Sequence, residues 1–162
     1  MESIALKIPL MVKTCNRLFA GTIIWSKLGG TMTQKILLVE DSRYQRMASK
    51  RVLAGAGFEV AEARDGEEAL RQVRESQPDL IILDILLPRL GGEQVLQALR
   101  QDPATARIPV IVLSSLSQCN SQRLKEAGAT AYVEKSKLDP TKNGEDLVRL
   151  VNAALRGEKQ KR

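Results

Sequence analysis

The sequence contains no histidine. That absence removes imidazole acid–base catalysis, Ser-His-Asp and Cys-His nucleophiles, His metal ligands and any phosphohistidine carried on this chain. Aromatic residues are scarce, at 3%, so a core must be built mainly from Leu, Val, Ile and Ala. The two cysteines, Cys15 and Cys119, lie far apart and form no CxxC pair. They suggest neither zinc nor a disulfide framework, and a reducing cytoplasm is the simple expectation. No apolar run approaches the ~20 residues needed to span a bilayer, so no transmembrane segment is expected.

What is present is an ordinary globular composition, 43% apolar and 27% charged over 162 residues, enough for one domain with a proper core. The net charge of +6 invites a nucleic-acid reading, but its location argues against one. Residues 1–32 carry +3 and the tail from Glu158 to Arg162 carries +2, leaving +1 for the body. No interior stretch combines clustered Lys and Arg with stacking aromatics, and no helix-turn-helix follows the last helical segment, so no nucleic-acid partner is expected.

The first 32 residues read as an extension distinct from the rest. Apolar groups at Ile8 to Val12 and Leu18 to Trp25 are interrupted by Lys7, Lys13, Asn16 and Arg17. Glu2 and the lack of an A-x-A site fit a signal peptide poorly. Met32 stands just before the first strong strand, which suggests a mispredicted start; an amphipathic membrane-surface or partner-binding segment is the alternative.

From Lys35 onward two patterns alternate. Short apolar runs at Ile36 to Val39, Leu80 to Leu83 and Val110 to Leu113 suit strands buried on both faces of a parallel sheet. Weaker runs lie at Phe58 to Ala61 and Ala131 to Val133. Between them come segments of helical period: Tyr44, Met47, Ala48 and Val52; then Ala69, Leu70 and Val73; then Val95, Leu96 and Leu99; then Leu124 and Ala127. Leu147, Val148, Val151, Ala154 and Leu155 form the last and clearest one. Strand then helix, about five times over with short links, predicts an α/β fold with a doubly wound five-stranded parallel sheet.

In such sheets the functional site lies beyond the carboxyl ends of the strands. Those ends carry Glu40-Asp41, Asp84, Ser114-Ser115 and Glu134-Lys135. Each alone is most simply a helix cap, a turn residue or a surface charge. Together they would place three acids, a hydroxyl and an ammonium on one edge. Two carboxylates ~4 Å apart repel by about 4 kcal/mol at an effective dielectric near 20, so the cluster calls for a cation or a raised carboxyl pKa. An all-oxygen donor set without His or Cys points to Mg²⁺. A carboxylate nucleophile, a Lys and a hydroxyl around that ion suit acyl-phosphate chemistry.

The runs KILLVEDS (Lys35 to Ser42), DLIILDILLPRLGG (Asp79 to Gly92), PVIVLSS (Pro109 to Ser115) and GATAYVEK (Gly128 to Lys135) resemble, in order and spacing, the response-regulator receiver domain of two-component signalling. The resemblance covers about residues 33–156, leaving a short basic tail at 157–162. It implies a flavodoxin-like receiver fold in which Asp84 is the phosphoacceptor. Asp41 resembles the direct Mg²⁺ ligand, Glu40 the acid beside it, and the backbone carbonyl of Leu86 the remaining protein ligand. Ser114 resembles the hydroxyl that turns toward the phosphoryl group, Lys135 its salt-bridge partner, and Tyr132 the aromatic switch that swings inward. Small Ser115 would leave access beside the phosphate. The implied partners are a sensor histidine kinase as phosphodonor and a downstream target protein. A relay intermediate serving a histidine phosphotransfer protein, or an inactive receiver used as a binding platform, are the alternatives.

Departures from the family pattern carry their own expectations. Ser136 stands where Pro commonly follows the Lys, so that peptide need not be cis. Leu86 and Leu116 occupy positions that resemble tuners of phosphoryl lifetime, and neither can orient an attacking water, which predicts slow self-dephosphorylation. A haloacid-dehalogenase phosphatase would need Asp at position 86, where Leu stands. An FMN binder would want Gly, Ser and Thr after the first strand, where Glu40 and Asp41 would repel phosphate. The expected role is therefore a single-domain signalling phosphoacceptor rather than an enzyme acting on a separate substrate.

Overall fold

A computed structural model describes residues 33–115, 121–138 and 144–157. The extension at 1–32, Leu116, both cysteines and the last five residues lie outside the described residues. The chain runs β1 (Lys35–Val39), α1 (Arg43–Gly55), β2 (Glu59–Ala63), α2 (Gly66–Ser76), β3 (Leu80–Asp84), α3 (Gly92–Gln101), β4 (Val110–Ser114), α4 (Ser121–Glu126), β5 (Ala131–Glu134) and α5 (Gly144–Leu155), with a 3₁₀ turn at Lys135–Lys137. All pairings are parallel and the spatial order is β2-β1-β3-β4-β5. The fold is the expected five-stranded, doubly wound α/β sheet.

Pleating sorts the apolar strand residues to two faces. Leu37, Val39, Ile81, Leu83, Val110 and Val112 pack with Val73 of α2, Val95 and Leu99 of α3 and Leu124 of α4. Ile36, Leu38, Leu80, Ile82, Ile111 and Leu113 pack with Leu53 of α1 and Leu147 and Val151 of α5. The wholly apolar runs thus have their cause: each strand interior is buried twice over, and each large side chain contributes about 1.5–3 kcal/mol toward the ordering cost. Among the described residues no helix is long and apolar enough to cross a membrane.

Two details differ from the sequence expectation. Tyr44 and Met47, read above as part of an inner helical face, are 72% and 58% exposed. Helix α1 is rotated so that Leu53 is buried and Ala48 and Val52 are half-covered. Strand β2 runs further than expected, through Glu62 and Ala63, because an edge strand keeps one partner and tolerates polar residues.

Asp65 closes the gap between β2 and α2. Its Oδ1 accepts from the Glu68 N–H at 2.9 Å as the helix N-cap, and its Oδ2 pairs with Arg89. Arg89 itself sits at φ 64, so the loop after β3 is strapped to α2 through a residue in the left-handed region. The Glu68 N–H, aided by Arg89 and opposed by burial, holds the Asp65 carboxyl below the ordinary aspartate range. Asp65→Ala is expected to lower unfolding free energy by about 1–2 kcal/mol in urea melts. Because the folded-state pKa is depressed, that difference is fully present above the ordinary aspartate range and disappears as pH falls through the folded value. A difference unchanged down to the acid limit would refute the carboxylate as its source.

Candidate functional site

Strand β1 pairs with β2 on one side and β3 on the other, so the chain reverses its winding direction between β1 and β3. A crevice opens there, beyond the carboxyl ends, where no connection crosses. The register aligns Val39 with Leu83 and Asp84 with Leu113, which brings the residues after β1 beside the last residue of β3.

Glu40 is 4% exposed, and its Oε1 accepts from the Ser42 N–H at 3.2 Å. Asp41 is exposed. Arg46, one turn into α1, donates through Nη1 to the carbonyls of Glu40 at 2.7 Å and Asp41 at 3.2 Å. Its Nε stands 3.6 Å from Glu62 on β2, which also takes Lys50 at 2.6 Å. The loop bearing the two acids is therefore pinned from behind by a guanidinium that sequence reading did not single out.

Asp84 is 3% exposed; its Oδ1 accepts from the Leu86 N–H at 3.0 Å, and its Oδ2 from Lys135 Nζ at 2.6 Å. The same ammonium donates to Glu40 Oε2 at 2.6 Å and to Gln45 Oε1 at 2.9 Å. Oxygens of Glu40, Asp41 and Asp84 all lie within 4.8 Å of one another. Burial raises the Glu40 pKa, and the Asp84 charge adds to it, against the lowering pull of Lys135 and the Ser42 amide. Burial alone would pull the Lys135 pKa down, but its bonds to Asp84 and Glu40 outweigh that and raise it, so the ammonium keeps its proton past neutral pH.

The structure thus brings together Glu40, Asp41, Asp84 and Lys135. Ser114 is buried at the end of β4, with Ser115 exposed beside it. Register sets Val112 next to Tyr132 and Ser114 next to Glu134, so Ser114 and Tyr132 belong to the same face of the sheet. Tyr132 is buried in the core beneath that edge. Leu86 meets Asp84 through its N–H, and its side chain is 51% exposed. The peptides described are all trans, including the one joining Lys135 and Ser136. Gln45, Arg46 and the Asp65–Arg89 strap were not foreseen. Their only sequence signal is position, in the first turn of α1 or just after the third strand.

The donor set fits a hard divalent cation: three carboxylates, no nitrogen or sulfur, and a concentration of negative charge that one ammonium offsets only in part.

Comparison with known proteins agrees with this geometry. Residues 36–145 match the response regulator receiver domain. Over 105 residues, 64% of this chain, it is 42% identical to a gliding motility regulatory protein of Myxococcus xanthus, of whose length that segment is 14%. It is 33% identical, also over 105 residues, to the polar-differentiation response regulator DivK of Brucella ovis, covering 64% of this chain and 85% of that one. Among solved structures, the chemotaxis response regulator CheY4 of Vibrio cholerae superposes with a TM-score of 0.69 at 30% identity, over 76% of this chain and 99% of its own. The phosphorylated cyanobacterial phytochrome response regulator RcpA gives 0.68 at 31% identity, over 76% and 94%. Such domains are the phosphoaccepting modules of two-component signalling, and they bind Mg²⁺ in an acidic pocket. This chain belongs to the response regulator receiver domain family.

Proposed function

We propose that this protein accepts a phosphoryl group on Asp84 from a sensor histidine kinase and passes the signal on by contact with a partner protein. One observation carries the reading: a buried carboxylate at the switch point, with an ammonium on one oxygen, an amide on the other and two more acids alongside. In the transfer, an Asp84 oxygen bonds to phosphorus as the phosphorus–nitrogen bond of the donor phosphohistidine breaks and the imidazole departs. Asp41 and Glu40, with Asp84 and the Leu86 carbonyl, would hold the Mg²⁺, which neutralises charge on the transferring group. The Leu86 N–H fixes Asp84 Oδ1 and so orients the carboxylate. On this reading Lys135 engages a phosphoryl oxygen and the Ser114 hydroxyl donates to another. Ser115 leaves room beside them. Tyr132 couples that hydroxyl's position to the β4–β5 face, the surface expected to change most for a partner. Localisation in the cytoplasm follows from the same pairing with a kinase's cytosolic histidine.

Incubation with acetyl phosphate and Mg²⁺, followed by borohydride trapping and peptide mapping, tests the assignment. The expected product is a single acyl phosphate on Asp84; label elsewhere, or none, would end the proposal. Phosphoryl lifetime gives a further check. With Leu86 apolar and exposed at the rim, Leu86→Asn is expected to shorten the half-life severalfold by supplying an amide that can orient water. An unchanged half-life would count against the role given to position 86.

A further inference from the structure

We propose that Gln45 is a positioning residue, whose amide holds the Lys135 ammonium across the mouth of the acidic pocket and thereby weakens the pocket's grip on a divalent cation. An ammonium has three protons to donate. Here they meet Glu40 Oε2 at 2.6 Å, Asp84 Oδ2 at 2.6 Å and Gln45 Oε1 at 2.9 Å, so each proton has its own acceptor. The two acids attract Lys135 by charge from any approach. Gln45 is neutral, and its influence is one of place.

That place is set by α1. Ser42 caps the helix, its side chain accepting from the Gln45 N–H at 3.4 Å, which fixes Gln45 in the first turn, facing the end of β5. An ammonium held at two points can pivot away when a second cation approaches; one held at three must first break the Gln45 bond. The oxygens that Lys135 occupies belong to the carboxylates read as ligands, so a fixed positive charge there repels an incoming dication. Gln45 is exposed, so replacing it opens no cavity in the core.

The inference rests on reading Glu40, Asp41 and Asp84 as the Mg²⁺ site, and the experiment separates the two. Gln45→Met keeps the side-chain length and removes the oxygen acceptor. In ¹⁵N-resolved NMR without metal, the Lys135 ammonium signal is expected to be sharp in the wild type and exchange-broadened in Gln45→Met. By calorimetry, the Mg²⁺ dissociation constant is expected to fall about tenfold, the low end of the scale of one hydrogen bond to a charged group. In a Lys135→Ala background the same substitution should change nothing. An ammonium signal indifferent to Gln45, or an equal affinity shift in both backgrounds, overturns the inference. Wild-type protein that takes up no Mg²⁺ overturns the metal reading and the affinity half of the inference together.

Discussion

Asp84→Asn is expected to reduce phosphoryl uptake from acetyl phosphate to background while leaving the protein folded. The amide has no nucleophilic oxygen to offer phosphorus, yet it preserves the shape of the side chain and an oxygen for the Leu86 N–H. Folding survives because Lys135 retains Glu40 Oε2 and Gln45 Oε1. The loss should therefore stay below the ~3–5 kcal/mol that accompanies an orphaned buried charge. Circular dichroism and a urea melt establish the fold; phosphorylation followed by mass measurement reads the uptake. Neighbouring acids do not replace Asp84 in this account. Asp41 is exposed, and Glu40, although it too joins an amide-held oxygen to the ammonium, follows β1 rather than ending β3 and is assigned to the cation. A variant that still takes up label, on either acid, would sink the assignment.

The largest stability effect is expected at Gly92. A Cβ added there would stand 2.2 Å from the Asp84 carbonyl oxygen and 2.7 Å from the Ile85 Cα. Both are backbone atoms, so no side-chain rotation can relieve the clash. The Gly92 N–H also donates to the Ile85 carbonyl at 3.1 Å, closing the loop that follows the acceptor. Gly92→Ala must therefore displace either α3 or the Asp84–Ile85 peptide. A loss of about 3 kcal/mol is expected, together with slower phosphorylation. Gly91→Ala is the control. A Cβ there meets only Gln94 Oε1 at 3.8 Å, and its φ of −66 suits any residue. Equal stability of the two variants would mean that the close approach has no energetic consequence.

The sheet and the gathering of acids were legible for one reason: parallel strands buried on both faces are written as unbroken apolar runs, and their ends can be counted. Once Ile36–Val39 and Leu80–Leu83 are strands, Glu40, Asp41 and Asp84 have no choice but to share an edge. Lys135 followed from the fifth strand in the same way. Helix rotation was not legible in α1, because Tyr44 and Met47 share the spacing of an inner face while α1 buries Leu53 instead. Side chains that act by reach were equally hidden. Gln45 meets Lys135 across 90 positions, and Arg89 meets Asp65 across 24, and periodicity carries no trace of either pairing. Leu116, the second residue read as a tuner of phosphoryl lifetime, lies outside the described residues.

The origin of Lys135 has a consequence for how the protein is made. Its ammonium reaches Glu40 from 95 positions away and Asp84 from 51. During synthesis from the N-terminus, β1 and β3 are complete while the only described cation that touches both acids has not yet left the ribosome. Any nascent intermediate that pairs β1 with β3 thus brings like charges together unaided, and stays provisional until β5 docks. The last strand to appear closes the sheet and, with the Lys135 that follows it, eases the electrostatic objection in part, so competence to receive a phosphoryl group should arrive with the finished fold rather than before it.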